Sequence, residues 1–127
     1  MTEREDDSLQ DMMSVLVVED ELFIAMELEA VLKEGGFRVL GPAATVEDAL
    51  YLLGDERPDA AVLDFNLGRE TVTPVALHLQ SLGVPFILAS ASGGRELARY
   101  EVLASATNLG KPTDPGRLVQ SLRTLRR

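Results

Sequence analysis

The chain has 127 residues, 12 Lys+Arg against 21 Asp+Glu, one histidine and no cysteine. That length, with an apolar fraction of 46%, fits one compact domain, and the lack of cysteine excludes disulfide scaffolds, thiol catalysis and cysteine-built zinc sites. The net charge of −9 disfavours nucleic acid and anionic lipid as partners, and it is unevenly spread: residues 1–94 hold 5 basic and 18 acidic side chains, residues 95–127 hold 7 and 3.

Residues 1–12 are polar and acidic with little to bury, so they are expected to form a flexible extension before a domain over 13–127. They lack the basic start and apolar stretch of a signal peptide, and no window reaches the length of a membrane span. A cytoplasmic protein is expected. From Ser14 onward, short apolar runs alternate with helical patterns, the signature of a parallel sheet covered on both faces. The first strand is 14–18. It gives way at Glu19-Asp20-Glu21 to a helix with Leu22, Ala25, Leu28, Val31 and Leu32 on one face, closed by Gly35-Gly36.

The second strand is expected at 37–40, and Thr45 caps the next helix with Asp48 three residues on. The third strand, 60–63, ends in Asp64. After a loop at Gly68, the spacing predicts a helix over 73–82 and a fourth strand over 84–89, followed by the small residues of 90–94. Residues 95–103 read as a short helix or an irregular stretch. A modest fifth strand over 106–109 leads to Lys111-Pro112, and Asp114-Pro115 opens a last helix with Leu118, Val119, Leu122 and Leu125 as its stripe. Right-handed crossovers then give a five-stranded, doubly wound α/β sheet, with its site at the carboxyl ends of the strands.

Those ends carry Glu19 and Asp20 after strand one, Asp64 after strand three, Ser90 after strand four and Lys111 after strand five. Clustered carboxylates raise one another's pKa unless a divalent metal or solvation relieves them. An oxygen-only ligand set suits Mg2+ (or Mn2+), and three carboxylates, a divalent ion and Lys111 balance to neutrality. A metal-bound carboxylate beside a lysine and a hydroxyl suits phosphoryl transfer, which needs alignment and charge neutralisation above all. No Gly-rich phosphate loop follows strand one, which disfavours P-loop and flavodoxin-type cofactor chemistry. His78 falls in the third helix and reads as an ordinary surface or boundary residue.

These residues resemble the receiver domain of two-component response regulators, through VVEDE (17–21), LDFNLG (63–68), PFILAS (85–90) and GKP (110–112), in order and each at a strand end. The resemblance covers 14–125 and implies the flavodoxin-like (βα)5 fold with strand order 2-1-3-4-5. It implies Asp64 as phospho-acceptor, Glu19 and Asp20 as the acidic pair holding the metal, and the backbone carbonyl of Asn66 as a further ligand. Ser90 matches the hydroxyl that turns toward the phosphoryl group and Lys111 the lysine, with Lys111-Pro112 cis. The 85–90 segment further resembles the FATGUY subgroup of stand-alone receivers that work with HWE-type histidine kinases. Ala91 stands where that motif has glycine, Ser92 where it has a bulky residue, and Asn108 where many receivers carry an aromatic switch residue.

The implied protein is a phosphorylation-controlled interaction switch, or a component of a phosphorelay or phosphate sink, and not an enzyme with an external substrate. Its phosphodonor would be a histidine kinase or histidine phosphotransferase. An unphosphorylated adaptor is one alternative. A Mg-dependent phosphatase of the haloacid dehalogenase type is another, disfavoured because Asn66 occupies the place of its second aspartate. The basic excess over 95–127, including Arg95, Arg99, Arg117 and Arg123, marks a face for an acidic or self-complementary protein partner.

Overall fold

The computed structural model describes residues 12–125. The acidic extension expected over 1–12 therefore lies, apart from Met12, outside the described residues. The domain reading begins where the structure does: β1 (Ser14–Val18) is buried along its whole length, as β-branched and apolar residues on consecutive positions require of a strand covered on both sides.

The elements follow as α1 (Leu22–Glu34), β2 (Arg38–Ala43), α2 (Val46–Asp55), β3 (Ala60–Leu63), the short β4 (Asn66–Leu67) and β5 (Glu70–Thr71), α3 (Thr73–Ser81), β6 (Phe86–Leu88), α4 (Gly94–Leu97), α5 (Glu101–Ala104) and α6 (Pro115–Leu125). The parallel sheet has the order β2-β1-β3-β6. Alternation along β1 divides the core. Leu16 and Val18 pack with α2, α3 and α5, whereas Val15 and Val17 pack with Leu28 and Leu32 of α1 and Leu118 and Leu122 of α6.

Several sequence expectations are corrected. The fifth strand over 106–109 is reduced to a single parallel bridge between Leu88 and Asn108, so the ladder has four strands and a flanking segment in the fifth position. Its sequence, Ala-Thr-Asn-Leu, is weak in strand-forming residues, and an asparagine side chain competes for the local backbone groups. The second strand extends to Ala43, past Gly41, and the fourth covers only Phe86–Leu88. The loop at Gly68 forms the β4–β5 hairpin. Residues 95–103 divide between α4 and α5. Leu22 lies outside the buried stripe of α1, 67% exposed at the first helical position, where the helix has not yet reached the sheet.

Local features explain how the strand ends are set. Gly41 has φ +95°, and a Cβ there would meet Ala43 N at 2.8 Å, so only glycine fits beside the irregularity in the β1–β2 register. That irregularity brings the Ala43 carbonyl to the backbone N–H of Glu19, which donates to it at 2.9 Å. Thr45 Oγ1 accepts from the Asp48 backbone N–H at 3.0 Å and caps α2 as expected, a bond that stabilises by about 1 kcal/mol.

Candidate functional site

The backbone ladder continues one residue past each strand, and the site is built there. Glu19 is held by its bond to Ala43, Asp64 N–H donates to Val18 O at 2.9 Å, and Ala89 N–H donates to Leu63 O at 2.9 Å, immediately before Ser90. The three segments thus enter the site from adjacent strands in fixed register. Lys111 arrives after the bridge segment, through a cis bond to Pro112 as the family resemblance implied.

All of the sequence-predicted residues meet. Lys111 Nζ lies 2.9 Å from Asp64 Oδ2, 3.0 Å from Glu19 Oε1 and 3.1 Å from Glu21 Oε2. Carboxylate oxygens of Glu19, Asp20 and Asp64 lie within 4.8 Å of one another. Asp20, Glu21, Asp64, Asn66, Gly68, Ser90, Ala91 and Lys111 line one cavity of about 330 Å³. Glu19, Asp64 and Ser90 are buried and Asp20 is exposed at the mouth. Asp20 makes no cap for α1, whose N-cap is Glu21; its Oδ2 accepts from Gly68 N–H at 2.9 Å and ties the β4–β5 hairpin to the site. His78 is exposed on α3, away from these groups.

Burial pushes Glu19 up to about 7, and the charge of Asp64 adds to the rise, while Lys111 and the backbone N–H of Glu21 pull it back. Burial opposes the charge on Lys111, but its bonds to Asp64, Glu19 and Glu21 outweigh this and hold the ammonium above its ordinary value. Lys111 is therefore charged at any ordinary pH, whereas Glu19 can lose its charge near neutrality. Glu19 Oε1 is also buried without a hydrogen-bond donor in good alignment, despite its short ion-pair distance to Lys111. An unsatisfied buried carboxylate oxygen amid two further carboxylates is a position that a hard divalent cation fits.

Sequence reasoning missed two parts of this arrangement. Glu21 is a fourth carboxylate and pairs with Lys111, so the neutral charge balance expected from three carboxylates omitted one, although the run Glu19-Asp20-Glu21 displayed it. Asn108 was legible only as the lack of an aromatic residue; its amide in fact bonds to Ser90, Ser92 and Gly110. Asn66 also enters through its side chain, whose Nδ2 donates to Ser92 Oγ at 3.2 Å.

Residues 15–123 match the family model of the response regulator receiver domain. The chain belongs to that family. The receiver is 36% identical over 115 residues to the sensory transduction protein LytT of Bacillus cereus, an alignment covering 88% of this chain and 46% of that protein. It is 30% identical over 84 residues to the transcriptional regulatory protein PdtaR of Mycobacterium tuberculosis, covering 65% of this chain and 41% of that one. The receiver thus spans less than half the length of these relatives. Among solved structures it is similar to the signal receiver domain of a modulated diguanylate cyclase from Desulfovibrio desulfuricans, with TM-score 0.81, 28% identity and coverage of 91% and 94% of the two chains. A CheY-like receiver domain protein from Methanospirillum hungatei, with TM-score 0.80, 22% identity and coverage of 90% and 93%, shares the fold. Among the described residues no helix is long and apolar enough to cross a membrane.

Proposed function

We propose that this receiver accepts a phosphoryl group on Asp64 and works as a phosphorylation-controlled signalling switch, not as an enzyme turning over an external substrate. What supports this above all is Asp64 itself: a buried carboxylate that nonetheless lines an open cavity, 2.9 Å from the Lys111 ammonium and beside Glu19 and Asp20. Mg2+ (or Mn2+) would be held by Glu19, Asp20 and Asp64 with the backbone carbonyl of Asn66, and when bound supplies positive charge to the phosphoryl oxygens.

An Asp64 carboxylate oxygen attacks the phosphorus of a phosphohistidine; the P–O bond forms as the P–N bond breaks, and the leaving imidazole takes a proton from solvent. Lys111 is already in contact with the nucleophile and needs only a small shift to bind a phosphoryl oxygen. The Ser90 hydroxyl, whose oxygen accepts from Ser92 N–H at 3.2 Å, can donate its own hydrogen to another. The acyl phosphate adds about one negative charge to the site, which biases the surrounding loops.

The phosphodonor in this proposal is a histidine kinase, of HWE type if the FATGUY likeness extends to partners, or a histidine phosphotransferase. The message passes to a downstream protein or along a phosphorelay, or ends with the receiver as a phosphate sink. Arg95, Arg99 and Arg117 are exposed and make no ion pair among the described residues, which suits an acidic partner surface. Arg123 departs from the expected 95–127 face, since its Nη2 donates to Gly35 O at 3.2 Å beside α1; Arg126 and Arg127 lie outside the described residues. The double substitution Arg95→Glu with Arg117→Glu is expected to weaken partner binding by about 10-fold or more in a pull-down or calorimetric titration. Unchanged binding removes this surface from the proposal.

The function is tested by incubating the protein with acetyl phosphate, with and without Mg2+, and counting phosphoryl groups per chain. One base-labile phosphoryl group, gained only with the metal, is the expected result. Inertness contradicts it in favour of an adaptor that only docks; steady turnover of external phosphoesters contradicts it in favour of a phosphatase.

A further inference from the structure

Beyond β6 the chain is joined to its neighbour by one side chain. At the isolated bridge, Leu88 N–H donates to Thr107 O and Leu109 N–H donates to Leu88 O, both at 2.8 Å. There the backbone ladder stops and the amide of Asn108 continues it. Asn108 Oδ1 accepts from Ser90 N–H and from Gly110 N–H, each at 3.0 Å, and Nδ2 donates to Ser90 O and to Ser92 O, each at 3.2 Å. An amide side chain offers two acceptor and two donor positions, and all of them are used. Ser90 is gripped through both of its backbone groups, as a paired strand would grip it. Gly110 is gripped immediately before Lys111.

The two phosphoryl-facing groups, Ser90 Oγ and Lys111 Nζ, are thus carried on two segments of chain cross-linked by one residue. We propose that Asn108 is a positioning residue that fastens the 90–92 loop to the 110–111 segment, so that Ser90 and Lys111 meet the phosphoryl group as one unit. The clamp stays closed when Asp64 is phosphorylated. Swinging the amide away would strand two backbone N–H groups and two carbonyls at once, so this position does not serve as a lever. Movement is directed instead to the exposed pair Gly93-Gly94 beyond the clamp, where added Cβ atoms would meet nothing within 4 Å. The proposal rests on Asp64 as acceptor; Asn108 itself bonds to none of Glu19, Asp20, Asp64 and Asn66, and meets them only through Ser92, which accepts from Asn66, and Lys111.

The test combines amide hydrogen exchange by NMR, with and without Mg2+ and beryllofluoride as a phosphoryl mimic, with phosphoryl uptake from acetyl phosphate. In the wild type, the Ser90 and Gly110 amides are expected to stay protected in both states. In Asn108→Ala their protection should fall about 10-fold or more, and phosphoryl uptake should slow about 10-fold or more while Mg2+ affinity is unchanged. Asn108→Asp keeps the acceptor for both amides but sets a carboxylate oxygen against the Ser90 and Ser92 carbonyls, so protection and uptake rate should both fall between those of the wild type and Asn108→Ala. A merely structural role would move Mg2+ affinity and uptake together, and that result overturns the proposal. So does protection of Ser90 or Gly110 lost in the wild type on adding beryllofluoride, or uptake by Asn108→Ala as fast as wild type. A wild type that takes up no phosphoryl group overturns the acceptor reading itself, and is told apart by that control.

Discussion

Replacing Lys111 with methionine is expected to lower the metal-free melting temperature at pH 8 by about 10–15 °C. Lys111 is the shared cation of Glu19, Asp64 and Glu21, and the first two of these are buried. Removing one partner of a buried ion pair costs about 3–5 kcal/mol, because the charge left behind has no compensation. The exposed Glu21 adds little to that figure. The direction with pH follows from Glu19: without Lys111 its carboxyl loses the bond that pulls it down, so its protonation becomes easier and the loss shrinks on acidification. Added Mg2+ should restore more stability to this variant than to the wild type, since the divalent ion takes over the same carboxylates. Differential scanning calorimetry at pH 8 and pH 5.5, with and without Mg2+, measures all of this. A metal-free variant as stable as the wild type at pH 8 would show that Lys111 does not hold the cluster together.

Mg2+ binding by the wild type should weaken about 10-fold per pH unit below about 7 and level off above it. Burial raises Glu19 from 4.5 to about 7, and a metal ligand must be deprotonated. The same shift sets a stability slope in the metal-free protein. Because the folded value is raised, the folded state binds more protons than the unfolded chain between 4.5 and about 7. The contribution of Glu19 to metal-free stability is therefore fully present below the unfolded value and is lost as pH rises through about 7. Glu19→Gln should remove that slope, leave the metal-free protein at least as stable as the wild type at pH 8, and bind Mg2+ weakly with little dependence on pH. Calorimetric titration at pH 6 and pH 8 measures the first effect; equal wild-type affinities at the two values contradict it.

Which parts of this molecule were legible in its sequence follows from range. β1 and β3 were readable because a strand buried on both faces is apolar along its run, as Val15 to Val18 and Ala60–Leu63 are. The polar residues placed directly after such strands could only converge at one edge of a parallel sheet, which is why Glu19, Asp20, Asp64, Ser90 and Lys111 were found together. What escaped depended on contacts that no spacing records. The weak fifth strand dissolved because Asn108 spends its amide on Ser90, Ser92 and Gly110. Glu21 counted only as the end of the acidic run after β1, and its contact with Lys111 comes from 90 positions away. Leu22 fitted the helical period but sits before the point at which α1 meets the sheet.

The central claim is that Asp64 is the phosphoryl acceptor of a metal-assisted switch. Intact-mass measurement of the wild type and of Asp64→Asn, each incubated with Mg2+ and acetyl phosphate, tests it most directly. One added phosphoryl group on the wild type and none on Asp64→Asn is the predicted result. Labelling that persists in Asp64→Asn, or a wild type that gains no mass, contradicts it.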